Sequence, residues 1–307
     1  MRFTAPKIRA RDDIVAAIYA ASGRRGGDDW RRTHLGASQI GHECQRYLWL
    51  GYRWAMQPDH DGRMLRLFAR GQREEANVIA GLRDAGYAVE DVDPSTRRQF
   101  VFSDRGFGGS CDGFVTVDSC RLVLEIKTSN IKQFEYLREK GVRLAKPQHH
   151  AQMQVYCKAF GAPGALYVAV CKDDDRIYAE QVEADSSEGE RLFDLARKII
   201  DFDEPPTKAL AEFPPCKLKS ADGTEWPCQY YDLCHGEEMP AKSCRSCVNW
   251  SSTKYPNGGC KEGIEQAVGC AEWHPNPSIV NAQAAAVVGT KVVWQFPSGK
   301  VATTGGE

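Results

Sequence analysis

The stretch Gly108-Gly-Ser-Cys-Asp-Gly-Phe-Val-Thr-Val-Asp-Ser-Cys-Arg-Leu-Val-Leu-Glu-Ile-Lys127 decides the fold. It reads as an Asp entering one strand, a turn, and Glu-x-Lys on the next strand. Glu125 and Lys127 are two apart, so both side chains leave the same face. Asp112 comes across from them when its strand pairs with theirs. Two hard oxygen ligands beside a fixed ammonium suit Mg²⁺ or Mn²⁺ next to a phosphate ester, with the carbonyl of Ile126 placed to add a ligand.

The rest of the chain sets limits on that reading. Its 307 residues allow one large core, or a core with a small appendage. No apolar run approaches the roughly 18 residues of a membrane helix, and the first residues lack a signal peptide's apolar run. A cytoplasmic protein with no membrane partner is expected. The formal net charge of −1 gives no global pull on nucleic acid. Yet Arg24, Arg25, Arg31, Arg32, Arg46, Arg53, Arg63, Arg66, Arg70 and Arg73 crowd the first quarter. Such a run is either a solvated surface or a local face that grips phosphates. In the second case Arg46, Arg53, Arg70 and Arg73 are the DNA contacts, with Tyr47, Trp49, Tyr52 and Trp54 interleaved for base stacking. Packing against a sheet would account for at least half of those aromatics equally well.

Outward from the hairpin, the pattern predicts a mixed α/β fold. Asp12 or Asp13 caps a helix to about Ala21, and Ser38 caps a second over Gln39 to Trp54. Met64 to Ala85 is a long amphipathic helix closed by Gly86. Gln99 to Ser103, Phe114 to Val117 and Leu122 to Lys127 are strands. Helices follow over Ile131 to Lys140 and from Pro147 to about Phe160. Two more strands, Ala165 to Val170 and Ile177 to Val182, precede a helix over Ser187 to Phe202. That order predicts a mixed sheet flanked by helices. Beyond Pro214 periodicity fades into a cysteine-rich segment. An Ala-rich stretch after Pro275 leads to a terminal hairpin over Val292 to Phe296 and Lys300 to Thr303.

Gln152 and Tyr156 stand at i and i+4, on one face of the helix that follows the Glu-x-Lys strand. Together the residues spell Asp…Glu-x-Lys…Gln-x-x-x-Tyr. From about Leu35 to Cys234 the chain resembles the RecB-like exonuclease branch of the PD-(D/E)xK nuclease superfamily, which includes phage exonucleases and the CRISPR-associated RecB-like nucleases. The resemblance implies a restriction-endonuclease-like core, with Gln152 and Tyr156 helping to place DNA and the active-site lysine. It also implies a further carboxylate or His from an upstream helix. The matching stretch is Phe68-Ala-Arg-Gly-Gln-Arg-Glu-Glu75, which nominates Glu75, with Glu74 as substitute. Ser110-Cys111 stand where the family often has a Pro before its Asp. His149 and His150 match no motif and are expected on the outside of the helix start.

Twelve cysteines in a cytosolic chain argue for metal ligation over disulfides. Cys111, Cys120, Cys157 and Cys171 lie in regular elements and read as small hydrophobes. Some RecB-like nucleases hold a [4Fe–4S] cluster with one Cys ahead of the core and three behind it. Here the resemblance implies Cys44 with Cys216, Cys228 and Cys234, although Glu225 stands where the first trailing Cys usually falls. Zinc and free thiols are the alternatives for this set. Cys244-x2-Cys247-x12-Cys260-x9-Cys270 reads as a separate structural zinc site, which His274 could enter in place of one thiol.

The expected organisation is an N-terminal helical region (1–60), a nuclease core (61–210), a Cys-rich closing segment (211–240), a zinc module (241–275) and a tail (276–307). The expected activity is metal-dependent exonucleolytic hydrolysis of DNA ends or single strands in phage recombination, repair or defence. A recombination or CRISPR-type protein partner goes with that resemblance, and an oligomer stays open. Two other classes stay open as well: a catalytically silent nucleic-acid-binding or assembly protein, and an iron–sulfur redox sensor that binds DNA.

Overall fold

A computed structural model describes residues 11–25, 32–58, 60–219, 225–254, 259–260, 269–271, 273–288 and 291–304. Arg31, the first ten residues and most of the loop between Cys260 and Cys270 lie outside these, as do the side chains of Arg24 and Arg25. In chain order the elements are α1 (Arg11–Arg25), β1 (Leu35–Gly36), α2 (Gln45–Tyr52), α3 (Gly62–Asp84), β2 (Ala88–Glu90), β3 (Val101–Asp104), β4 (Phe107–Ser110), β5 (Gly113–Val117) and β6 (Cys120–Ser129). Then come α4 (Ile131–Ala145), α5 (Pro147–Phe160), β7 (Gly164–Cys171), β8 (Ile177–Glu183) and α6 (Ser186–Asp201).

The central sheet has the order β2-β5-β6-β7-β8. Neighbours are antiparallel except β6 and β7, which run parallel and are joined through α4 and α5. The parallel pair explains the β6 sequence: a strand covered on both faces reads as an apolar run rather than an alternation. Its even-numbered residues Leu122, Leu124 and Ile126 pack with Val78 and Ile79 of α3. Its odd-numbered face, through Val123, meets α5, α6 and α2 in the larger core. Glu125 and Lys127 belong to that second face, so the carboxylate is buried by the fold that positions it.

Side chains cap the helices that flank the sheet. Asp61 accepts from Met64 N–H at α3, Asn130 from Gln133 N–H at α4, and Asp185 from Ser187 and Glu188 N–H at α6. Pro147 opens α5 and Gly161, at φ +65°, closes it. Among the described residues no helix is long and apolar enough to cross a membrane.

Three elements differ from the sequence reading. The helix expected from Gln39 begins at Gln45, capped by the Cys44 thiol, which accepts from Tyr47 N–H at 3.4 Å. The residues before it pair with β4 instead: Leu35 N–H donates to Gly106 O and Ala37 N–H to Gly108 O. β4 itself, Phe-Gly-Gly-Ser, has too little β-propensity to stand out, yet it is the middle strand of a small sheet ordered β1-β4-β3. The Ala-rich stretch is also a strand, Gln283–Val288, which pairs with the expected terminal hairpin of Lys291–Gln295 and Val301–Thr304.

The segment after α6 shares the main core rather than building one of its own. Cys234, Cys244, Trp250 and Ile279 are buried with Leu48, Trp49 and Tyr52 of α2. Arg245 ties the two ends of the chain together, donating to Thr33 O at 2.9 Å and stacking its guanidinium over the Trp54 ring at 4.3 Å.

Candidate active site

Gly113 explains how Asp112 reaches Glu125. Its φ is +142°, and a Cβ there would lie 2.4 Å from Glu90 O, so a side chain at 113 would force β5 away from β2. With glycine in place, β5 pairs Gly113 with Leu124. Asp112 thereby arrives beside the middle of β6, and its Oδ2 accepts the Ile126 N–H at 2.7 Å. The contact recorded at Ile126 is thus through its N–H.

Glu125 is wholly buried, and its Oε2 has no hydrogen-bond partner. The Lys127 ammonium approaches Oε1 as an ion pair, with its side chain 28 % exposed. Burial pushes the Glu125 carboxyl up to about 7; Lys127 opposes the rise, while Asp112 and Glu75 add to it. Glu75 belongs to the same set of charges: burial and then Asp112 raise its carboxyl, against Lys127 and a hydrogen bond from Gln99. Burial raises the Asp112 carboxyl, against the pull of Lys127 and the Ile126 N–H. Burial lowers the Lys127 ammonium, but Glu125, Asp112 and Glu75 outweigh it and hold the ammonium above its ordinary value.

Behind this group, Gln152 Nε2 donates to Tyr156 Oη at 3.1 Å, and Tyr156 Oη donates to Ser110 O at 2.7 Å. The pair fixes the end of β4 two residues before Asp112. The structure therefore brings together Glu75, Asp112, Glu125, Lys127, Gln152 and Tyr156. Glu74 faces elsewhere, toward a cleft under α3.

His149 departs from expectation: it lies inward, with Nδ1 2.8 Å from Tyr167 Oη. Burial, reinforced by Lys127 and Lys146, holds its imidazole down near 3, so it is neutral at physiological pH. Tyr167 is the β7 residue in register with Glu125. Sequence reading missed this pair because the parallel register of β6 and β7 is set by the α4–α5 crossover, which no local pattern encodes.

Arg46 and Arg53 correct the expected DNA face. Both are buried on the core side of α2. Arg46 donates to Pro206 O and Ser278 O. The Arg53 guanidinium lies between the rings of Trp49 and Trp250, 4.7 and 4.3 Å from their centroids, and donates to Phe202 O. An eight-residue helix with buried aromatics on both flanks leaves no room for these arginines outside, so they brace the C-terminal segment. Arg53→Ala should destabilise the fold by about 2 kcal/mol, read as a lower urea midpoint, with DNA affinity of the folded fraction unchanged. Arg70 donates to Lys172 O at 2.6 Å, and Arg73 is exposed. With Arg63 and Arg66 they form a stripe along α3.

Cys44, Cys216, Cys228 and Cys234 lie near one another, as do Cys247, Cys260 and Cys270. Burial pushes the Cys228 thiol up to about 11, and Cys44, Cys234 and Cys216 add to the rise. Residues far apart in the chain therefore converge at the start of α2, with His235 Nε2 3.3 Å from the Cys216 sulfur. Burial likewise raises the Cys247 thiol, with Cys260 and Cys270 contributing. Among the described residues no three His, Cys, Asp or Glu side chains stand close enough to form a ready-made single-ion site. The donor chemistry still suits the groups expected: hard carboxylates around the unpartnered Oε2 of Glu125, and thiols with the His235 imidazole beside them around Cys44.

No protein-family model matches the chain, and no curated protein matches it. Among solved structures it is similar to an alkaline exonuclease, LHK-Exo, from Laribacter hongkongensis, with 20% identity, 56% of this chain and 90% of that one covered, and a TM-score of 0.41. The complex of LHK-Exo with dAMP is similar at 20% identity over 60% of this chain and 89% of that one, TM-score 0.41. A phage related exonuclease from Haemophilus somnus gives 13% identity, 57% and 95% coverage, and a TM-score of 0.41. At such scores the likeness is one of partial outline, and the chemistry of the site stands on its own geometry.

Proposed function

We propose that the chain is a divalent-metal-dependent deoxyribonuclease, an exonuclease that hydrolyses phosphodiester bonds at DNA ends or in single strands. The observation that carries this reading is Glu125: a wholly buried carboxylate whose Oε1 meets the Lys127 ammonium and whose Oε2 has no partner, beside a second carboxylate. Burying such a group costs several kcal/mol unless something positive completes it. A structural ion pair would be expected to satisfy both oxygens, and this one does not.

In this reading Asp112, Glu125 and Glu75 hold Mg²⁺ or Mn²⁺. The bound cation supplies Lewis acidity toward a phosphoryl oxygen and a more acidic water. Lys127 places its ammonium where negative charge develops on the phosphate. Gln152 and Tyr156 keep Ser110 and hence Asp112 in position, while the neutral His149–Tyr167 pair packs the floor beneath Glu125. Digestion of end-labelled single- and double-stranded DNA with Mg²⁺ and with Mn²⁺ tests the proposal. Release of short products that stops with EDTA supports it; DNA retention without cleavage in either metal replaces it with a binding or assembly role.

The Cys44, Cys216, Cys228 and Cys234 set supports a second, independent reading: a [4Fe–4S] cluster that fastens α2 to the segment after α6. Thiols drawn from three separate parts of the chain into one neighbourhood suit a multinuclear centre. Anaerobically purified protein should show broad visible absorption, lost in Cys228→Ala. A colourless protein that carries zinc instead would remove the cluster.

A further inference from the structure

Among the clefts that the described residues form, two that flank α3 differ in the kind of lining they present. One, of about 660 Å³, runs between α3 and the even-numbered face of the sheet, with Leu166, Val168 and Ile177 on one side and the carboxylates Glu74 and Asp175 at its rim. Negative charge there opposes a polyanion. The other, of about 600 Å³, lies between β1, α2 and the start of α3. Tyr47, Trp54, Phe68 and Tyr230 supply aromatic surface, Arg32 supplies a cation, His34 is held neutral by burial and by Arg32 and Arg245, and no carboxylate is among the described lining residues.

We propose that this second cleft seats an unstacked base of a single-stranded nucleic acid whose backbone runs on to the Asp112–Glu125–Lys127 centre. The inference rests on the nuclease reading for the direction of the strand, though not for the binding itself. Base stacking needs a flat apolar ring that water can reach. Phe68 offers one, being 49% exposed, with His60 packed edge-on at 5.3 Å. The exposed Arg32 guanidinium answers a phosphate next to the base. Trp54, by contrast, is fixed by its Nε1 donating to Arg32 O at 2.8 Å, so it forms a rigid wall and holds the Arg32 backbone in place.

Two separate measures connect the cleft to the reactive group. Phe68 and Glu75 are seven residues apart on α3, hence on one face and about 10 Å apart along its axis. On the opposite wall, His34 lies against Gly108, where a Cβ would be 3.4 Å from its ring, and Gly109 would likewise meet Tyr156 Oη at 3.1 Å. From Gly108 the extended chain reaches Asp112 in four residues, roughly 13 Å. Both spans are at most about three or four nucleotides long, because 3.4 Å is the rise of a stacked step and an unstacked strand is more extended. A double helix cannot present an unstacked base, so the seat selects single strands or frayed ends.

The test is fluorescence anisotropy of a labelled oligothymidylate and of a blunt hairpin duplex, in EDTA so that neither is cut, with wild type, Phe68→Ala and Ser38→Trp. Phe68→Ala removes the exposed ring, and Ser38→Trp fills the cleft from an exposed lining position. Each should weaken oligothymidylate binding about tenfold or more while changing duplex binding by less than about twofold and leaving the thermal midpoint unmoved. Unchanged oligothymidylate affinity in either folded variant, or equal losses on both ligands, overturns the seat. If the variants lose single strands selectively but no metal yields cleavage, the seat stands and the nuclease reading falls. If DNA is cut while both variants bind normally, the seat falls alone.

Discussion

Lys127→Ala is expected to lower Mg²⁺- or Mn²⁺-dependent DNA degradation by roughly a hundred- to a thousandfold, with the protein still folded. The ammonium touches Glu125, sits on the same face of β6, and is flanked by Asp112 and Glu75. Lys127 is the one cation among the six residues of this set, so alanine leaves the developing phosphate charge without its local partner. Folding should survive because the carboxyl that loses its ammonium can take up a proton instead of standing as a lone buried charge. Steady-state rates on end-labelled DNA, paired with a circular dichroism melt, decide the matter. Full activity in a folded Lys127→Ala protein would remove the assignment of the site.

Glu125→Gln should have opposite effects on activity and stability. Activity should fall by at least as much as in the lysine variant, because an amide is a poor ligand for a hard cation. Stability without metal should rise. The folded-state pKa of Glu125 lies near 7 against an ordinary 4.5. As pH climbs from about 4.5 to about 7, the unfolded chain releases a proton that the native chain keeps. Stability contributed by the protonated carboxyl is therefore present at low pH and lost as pH rises through 7. At pH 8 the wild type bears a penalty of order 3 kcal/mol, taking about 1.4 kcal/mol per pKa unit. The glutamine variant bears none of it. Urea midpoints in EDTA at pH 5 and pH 8 should converge for the two proteins at pH 5 and separate at pH 8. A variant less stable than wild type at pH 8 would mean that Glu125 is a structural ion-pair partner.

The elements that sequence made legible are those whose signal is local. The Glu-x-Lys face follows from the two-residue period of a strand, and β6 keeps it. Gln152 and Tyr156 share a helix face by their four-residue spacing, and α5 begins at the Pro147 that marks it. Glu75 could be nominated from a helical stretch, and it lies among the other charges. What escaped depends on partners far along the chain. Arg46 and Arg53 look like a basic surface until residues 202–206 and 278 cover them. His149 looks peripheral until β7 supplies Tyr167. β4 carries little β-propensity and exists as a strand because β1 and β3 accept it on either side.

The buried contacts of α2 also constrain how the protein is made. Arg46 donates to Ser278, 232 residues later, and Arg245 reaches back 212 residues to Thr33. At about 5–20 residues per second on the ribosome, α2 emerges roughly 10–50 s before the partners that cover it. During that interval Tyr52 and Arg53 lack Trp250 and Arg46 lacks its Ser278 acceptor, and a chain in this state is a natural client for a chaperone that shields aromatic surface. The sheet can form early; the segment after α6 completes the cover over α2.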